Sequence, residues 1–360
     1  MNPQQTSTAV GARTVRVVGV VEETRDARSI LVELHPDEVG ELTYSPGQFL
    51  TVRVPDVGTG TARCYSLSSS PHVDSTMKIT VKRVIGGHGS NWLCDSLAVG
   101  DELEILPPAG VFKARALDEP IILVAGGSGI TPIMSIVKSI LFAGTGTIFL
   151  IYTNRDENSV IFAEELRDLS EKFDSRFTVI HVLESVQGYL TETMMAKLVK
   201  LQVGQAVYVC GPAPLMKVVK QTCVSQGIPQ SDVMMEKFVS LTTDPFVALS
   251  GDRRPEGAAG IDGTGRDVED RAGTVLVTLD GVERTLAWPR SKRLLDALLD
   301  AGLKAPFSCR EGACSACVCS LKEGEVKLVR NEVLEAEDLA RGYILTCQAE
   351  LVTDDITIEF

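Results

Sequence analysis

Apolar and polar residues alternate at period two over residues 15–21, 30–34, 49–54, 77–84 and 102–106. That period marks half-buried strands, and glycine, proline and aspartate punctuate the runs. Several short strands separated by turn residues predict an antiparallel β-barrel over 11–115. From 116 the pattern changes. Short apolar runs at 120–125, 147–152, 177–183, 205–210 and 232–236 alternate with helix-like stretches at 133–142, 163–172, 193–199 and 215–225. This alternation predicts an α/β doubly wound parallel sheet over 116–238. Periodicity is lost over 239–273, where the chain becomes rich in glycine and charge, and a flexible linker is expected. Beyond it, runs at 274–279 and 284–288 flank Asp280-Gly281, a strong hairpin signal. Residues 294–299 read as a short helix ended by Gly302, 337–339 as one more helical turn, and 355–360 as a last strand. The expected fold is therefore multidomain, with a smaller α+β domain over 274–360.

That last domain carries the sharpest chemistry. Cys309, Cys314 and Cys317 follow the spacing Cys-x4-Cys-x2-Cys, and Cys347 comes 29 residues later. This is the plant-type ligand spacing of a [2Fe–2S] cluster. Three thiolates on one short loop must converge on a small inorganic core. Gly312, Ala313, Ser315 and Ala316 keep bulk away and leave N–H groups free to point at sulfur. A zinc site usually takes separated cysteine pairs. Disulfides are not expected, because the first ten residues have neither a basic nor an apolar export segment. Cys319 is read as packing. Arg310 and the loop N–H groups are placed to tune the potential of the cluster.

Composition narrows the partners. A formal net charge of −13, from 48 acidic against 35 basic residues, disfavours nucleic acid and anionic membrane. The apolar runs are too short to span a bilayer. Nine cysteines, five of them scattered, fit reduced thiols in a cytoplasmic protein.

Two glycine-rich stretches suggest phosphate sites. The run 86–93 leads into a helical segment through Ser90-Asn91, and a helix start with free N–H groups attracts anions. With Arg63-Cys64-Tyr65-Ser66 the signal becomes specific. Arginine pairs with phosphate, tyrosine stacks on a flat ring, and serine bonds a ring atom. In the second domain, the run Gly126-Gly127-Ser128-Gly129-Ile130-Thr131-Pro132 joins the first strand to the first helix. It meets the dinucleotide fingerprint only in part, since Pro132 stands where a third glycine is usual. No lysine follows, so it is not a P-loop. The second strand ends at Asn154-Arg155 without a carboxylate, and coenzyme preference does not follow from the residues.

These stretches resemble the ferredoxin–NADP reductase superfamily, and the order of domains resembles its single-chain oxygenase reductases with a C-terminal plant-type ferredoxin domain. The resemblance implies FAD held by Arg63, Tyr65 and Ser66, with its phosphates at Gly89, Ser90 and Asn91. Val81, Lys82 and Arg83 would lie along a strand by its outer half. NADH would dock at Gly127, Ser128, Gly129, Ile130 and Thr131, with Asn154 and Arg155 near it. Cys210, Gly211 and Pro212 would flank the nicotinamide. Glu236 would lie by the flavin, and Phe238 would cover its face. Ser66, Cys210 and Glu236 are thus the expected catalytic group. The stretches around Arg63, Ser90, Thr131 and Cys309 are most similar to reductases that serve 3-ketosteroid 9α-hydroxylases. That implies a Rieske-type oxygenase partner in steroid degradation. Reductases of phenylacetyl-CoA epoxidases share the architecture and are the alternative. A redox-responsive binding module is the alternative from another class.

Overall fold

The computed structural model describes residues 11–38, 40, 42–55, 61–202, 204–246 and 272–360. The N-terminal stretch used to argue against an export signal, and most of the expected linker (247–271), lie outside the described residues.

The first sheet contains β1 (Arg13–Thr24), β2 (Ala27–Leu34), β3 (Phe49–Val54), β4 (Thr61–Ser66), β5 (Met77–Lys82) and β6 (Glu102–Ala109), ordered β4-β3-β6-β1-β2-β5. Every pairing is antiparallel. A bridge between Leu67 and Ile79 brings the two edges together, curling the sheet into a barrel. The period-two pattern works as expected. Val15, Val17, Ile30, Val32, Leu50, Val52, Ile79 and Val81 all point inward and are buried. One strand, β4, carries no such alternation. Helix α1 (His88–Ser96) starts before the expected position and closes one side of the barrel with Leu93 and Cys94.

The second sheet is parallel and ordered β11-β10-β7-β8-β9. Its strands are β7 (Ile121–Gly126), β8 (Ile148–Asn154), β9 (Phe177–Leu183), β10 (Ala206–Cys210) and β11 (Val233–Glu236). Its helices are α2 (Ile130–Ala143), α3 (Ala163–Lys172), α4 (Glu184–Gln187), α5 (Glu192–Leu198) and α6 (Ala213–Ser225). The strands are continuous apolar runs because helices cover both faces. Helix α2 is apolar nearly all round because it lies between its sheet and the barrel. Its polar residues are spent on that interface. Ser139 meets the Ser70 hydroxyl at 2.7 Å, and Ser135 donates to the Ser69 carbonyl.

Lys138, only 5 % exposed, reaches Asp74 of the barrel at 2.7 Å and Glu165 of α3 at 3.0 Å. Lys138→Ala leaves two carboxylates facing each other. It should cost about 2–3 kcal/mol, less than a fully buried pair because both carboxylates keep some water. The check is the unfolding midpoint, and an unchanged midpoint would mean that this triad does not join the two domains.

The third unit is a mixed sheet ordered β13-β12-β18-β14-β16 with a two-stranded ribbon, β15-β17. The strands are β12 (Gly273–Leu279), β13 (Val282–Trp288), β14 (Val318–Glu323), β15 (Val326–Leu328), β16 (Tyr343–Leu345), β17 (Ala349–Leu351) and β18 (Asp355–Glu359). Asp280 and Gly281 both have positive φ (52° and 75°), which is the type I′ turn that their sequence predicts. Trp288 is fully buried beside the helix Leu294–Asp300, and its indole N–H donates to the Lys292 carbonyl at 2.8 Å. Cys319 is buried in the same core, as packing requires.

The cysteine loop seats against the barrel. Cys309, Ala313, Cys314 and Ala316 share an apolar cluster with Phe49 and Ala62 of the barrel and with Leu241 and Phe246. The last two stand at the start of the expected linker, and Phe246 is 1 % exposed. Burying one phenylalanine side chain contributes about 1.5–3 kcal/mol. On the other flank, Lys220 of α6 and Lys237 both reach Glu335, at the start of the helix Ala336–Ala340.

Candidate functional site

Strand β4 is the wall around which the site is built. Its residues alternate between two faces. On one face, Arg63 and Tyr65 meet the glycine-rich run. A Cβ placed on Gly89 would lie 3.0 Å from Arg63 Cγ and 3.6 Å from the Tyr65 hydroxyl. The α1 N-terminus has Gly87 as its cap residue and no side-chain cap bond. Its first N–H groups therefore remain for an anion, next to the stem of Arg63, whose guanidinium donates to the Ala62 and Leu241 carbonyls. Ser90 Oγ accepts the Val84 N–H at 3.1 Å, and Asn91 donates to the Val84 carbonyl, which holds this run against α1. The residues present fit a dinucleotide with a flat ring and a pyrophosphate.

Lys82 and Arg83 point elsewhere. Arg83 donates to Asp95 at 2.6 Å and to the Cys94 carbonyl, near the end of α1. Lys82 Nζ lies 3.9 Å from Asp26 and within 4 Å of where a Cβ on Gly127 would stand, so it faces the second domain's glycine turn. Val81 contributes its side chain to the barrel core.

The turn Gly127–Gly129 lies between β7 and α2. Gly129 has to be glycine. A Cβ there would sit 2.1 Å from the Cys210 carbonyl oxygen, so only a bare backbone lets the first turn touch the Cys210-Gly211-Pro212 turn. The N-terminus of α2, with Ile130 and Thr131, also lacks a side-chain cap bond. Asn154 is 4 % exposed at the C-terminal end of β8, and neither atom of its amide has a hydrogen-bond partner among the described residues. Open α/β sheets take ligands at this end. A buried amide with no partner is the mark of a missing one. Arg155 instead reaches across to Asp26 of the barrel at 2.8 Å.

Cys210 and Glu236 are opposite one another in the register of β10 and β11. Both are buried. Burial pushes the Glu236 carboxyl up to about 8, so it carries its proton at neutral pH. Burial, and then the nearby Glu236, hold the Cys210 thiol well above its ordinary value. Phe238, two residues on, is half exposed. On the second face of β4, Cys64 and Ser66 line a small cavity of about 30 Å³ with Phe49, Glu236, Phe238 and Cys314. Two of the three expected catalytic residues, Ser66 and Glu236, thus open on one space with a cysteine of the loop.

The loop is shaped for sulfur. Arg310 and Ser315 take positive φ (57° and 55°). Gly312 (φ 77°) is required, because a Cβ there would lie 2.6 Å from the Arg330 carbonyl oxygen. The N–H groups of Glu311 and Ala313 aim at Cys309 Sγ, each at 3.4 Å, and Gln348 Nε2 aims at Cys347 Sγ at 3.6 Å. The Cys309 thiol is held far below its ordinary value, by Cys314 and Cys347 and then by those N–H groups. No single-ion group of His, Cys, Asp or Glu occurs among the described residues. What suits these four buried cysteines to an iron–sulfur core is their donor chemistry, since thiolates in a shell of N–H donors are its usual ligands. Arg310 itself turns to Asp296 and lies over the Phe307 ring, with its guanidinium 5.5 Å from the centroid.

Pattern reading missed three residues. Cys64 sits between the motif's arginine and tyrosine, on the opposite face, where burial pushes its thiol up to about 12. Its place in the strand motif is the only signal that marks it. Thr51 shares a hydroxyl contact with Ser308, and nothing in either neighbourhood announces it. Glu311, 6 % exposed, could have been noticed as a carboxylate inside a loop of otherwise small residues.

Residues 14–114 match the oxidoreductase FAD-binding domain, 123–221 the oxidoreductase NAD-binding domain, and 277–352 the 2Fe-2S iron-sulfur cluster binding domain. The chain is 48% identical over 354 residues to the 3-ketosteroid-9-alpha-monooxygenase ferredoxin reductase component of Rhodococcus rhodochrous, covering 97% of this chain and 98% of that one. It is 28% identical to a component of the 1,2-phenylacetyl-CoA epoxidase of Escherichia coli, covering 96% of each. The solved structure of phthalate dioxygenase reductase, described as a modular structure for electron transfer from pyridine nucleotides to [2Fe-2S], superposes with a TM-score of 0.59 at 25% identity and 98% coverage of both chains. No helix among the described residues is long and apolar enough to cross a membrane. With FAD-binding, NAD-binding and 2Fe-2S domains in this order, the chain is an oxidoreductase of the family that includes the ferredoxin reductase components of 3-ketosteroid-9-alpha-monooxygenases.

Proposed function

We propose that this reductase draws electrons from NADH and supplies them to a Rieske-type oxygenase that hydroxylates 3-ketosteroids at C9, in the cytoplasm. FAD, when held here, would supply two-electron hydride acceptance and one-electron release, and a [2Fe–2S] cluster would supply one-electron carriage. The chain's residues do the rest. Gly127, Ser128, Gly129, Ile130 and Thr131 bind the NADH pyrophosphate at a helix start, with Lys82 facing the same turn and Asn154 and Arg155 at the sheet's ligand end. Gly211 and Pro212 shape the turn that presents Cys210 to the nicotinamide. Phe238, half exposed beside Ser66 and Glu236, would help to hold the flavin ring. Cys210 and the protonated Glu236 keep that pocket uncharged, and Ser66 orients the accepting ring. Arg63 and Tyr65 hold the flavin, with Gly89, Ser90 and Asn91 at its phosphates. Cys309, Cys314, Cys317 and Cys347 hold the cluster. In this reading the domains run 11–115, 116–238 and 274–360.

The observation that carries the electron path is the small cavity that Ser66, Glu236 and Cys314 share. The 48% identity to the steroid reductase, against 28% to the epoxidase component, favours the steroid partner. The test mixes the purified protein and NADH with a 3-ketosteroid 9α-hydroxylase oxygenase, and separately with a phenylacetyl-CoA epoxidase. Hydroxylated steroid alone is expected. Epoxidised phenylacetyl-CoA alone would overturn the steroid assignment and leave the electron path standing.

A further inference from the structure

The described residues after Glu236 form a strap that leaves the parallel sheet and threads between the barrel and the cysteine loop. Both sides hold it. From the barrel, Arg63 donates to the Leu241 carbonyl at 3.2 Å. Arg53 pairs with Asp244 at 3.7 Å, and its guanidinium lies 5.6 Å from the centre of the Phe246 ring. From the cysteine loop, Glu311 accepts the Thr242 N–H at 2.8 Å and the hydroxyls of Thr242 and Thr243. Arg330 completes the shell of this buried carboxylate at 3.2 Å. A buried carboxylate needs such donors, and here all except Arg330 come from the strap. Thr51 of β3 meets Ser308, the residue before Cys309, and also Cys64 Sγ at 3.4 Å, which puts Cys64 at the seam.

We infer that Glu311 is a positioning residue for electron transfer: by clamping Thr242 and Thr243 it holds the cysteine loop against the rear face of β4, the strand whose front face carries Arg63 and Tyr65. The residue neither binds a cofactor nor ligates iron. It sets the gap between the flavin strand and the four cysteines, and its loss lets the third domain lift from the barrel. The outer contact of Lys220 and Lys237 with Glu335 is partly exposed and screened by salt, so it cannot keep the gap alone. This inference rests on the reading that electrons pass from the flavin side to the cysteine side within one chain.

Three purified holoproteins test it: wild type, Glu311→Gln, and the double variant Thr242→Ala/Thr243→Ala. The double variant leaves the cysteine loop untouched should Glu311→Gln fail to assemble its cluster. Hydrogen–deuterium exchange reads the strap over 241–246. Stopped-flow absorbance reads flavin reduction by NADH, and freeze-quench paramagnetic resonance reads cluster reduction. Exchange in the strap should speed up by about tenfold or more in Glu311→Gln, the weight of one hydrogen bond to a charged group. Cluster reduction should slow by a similar factor while flavin reduction stays at the wild-type rate. The double variant should move both readouts in the same direction. Faster exchange with unchanged cluster reduction would overturn the inference, leaving the strap a mere tie. Unchanged exchange in both variants would overturn it too. Failure of the wild type to reduce its cluster from NADH would instead strike the electron-path reading, and exchange would still judge the clamp.

Discussion

Cys347→Ser is expected to abolish electron delivery from the C-terminal domain while leaving NADH oxidation at the flavin intact. Cys347 lies between β16 and β17, distant in sequence from the loop that carries the other three cysteines, and the fold brings its thiol up against that loop. Its thiol is shared with Cys309 and Cys317, and Gln348 points an amide at its sulfur. Serine keeps the size but offers a hard, poorly ionised oxygen in place of a soft thiolate. Three thiolates on one loop then lack the ligand that ties them to the rest of the domain. Iron content and the visible absorption of the cluster should fall together. Cytochrome c reduction should drop to background, and ferricyanide, which drains the flavin directly, should be reduced at the wild-type rate. The third domain should also melt earlier, because ligand binding is part of its folding energy. Full iron content with undiminished cytochrome c reduction would remove Cys347 from the ligand set.

The next largest effect belongs to Glu236. Its carboxyl holds a proton in the folded protein up to about pH 8, whereas an ordinary glutamate releases it near 4.5. Between those values the folded chain binds more protons than the unfolded one, so stability falls as pH rises through that window. The whole effect is at most about 4–5 kcal/mol. Glu236→Gln keeps shape and hydrogen-bonding capacity but has no proton to lose. It should flatten the decline in unfolding midpoint between pH 5 and pH 9, and above pH 8 it should be more stable than the wild type. Flavin reduction by NADH reports the same group. In the wild type it should change as pH passes 8, where a charge appears beside Cys210, and in Glu236→Gln that inflection should vanish. A glutamine variant that retains the wild-type pH slope would assign the effect elsewhere.

Much of this architecture is legible one segment at a time. The periodicity predicts a helix over 163–172, and α3 spans Ala163–Lys172. The Asp280-Gly281 turn joins the two strands that its residues predict. These are local effects, set by periodicity and by backbone conformations that few residues tolerate. Helix α1 begins earlier than its pattern suggests, because Gly89, which reads as loop, lies within its first turn, packed close to Arg63. Strand β4 escapes the period-two reading for a different reason. Both of its faces are covered, one by the glycine-rich run and the other by the cysteine loop, so neither face had to be apolar or polar.

Chemistry that acts over a few residues is enough to set the ligand spacing of Cys309, Cys314, Cys317 and Cys347, the glycine turns before α1 and α2, and the order of the three domains. What those pieces do to each other is a matter of packing. The fold places Ser308 against Thr51, 257 positions away, and closes Glu311 over Thr242. It turns Lys82 toward Gly127 and puts Lys138 between two carboxylates from different domains. It also takes Glu236 out of water, which is what keeps its proton on at neutral pH. Contacts of this kind depend on which surfaces meet when separate domains pack. Burial and distance then set their energies, and neither is written in the periodicity of any one segment.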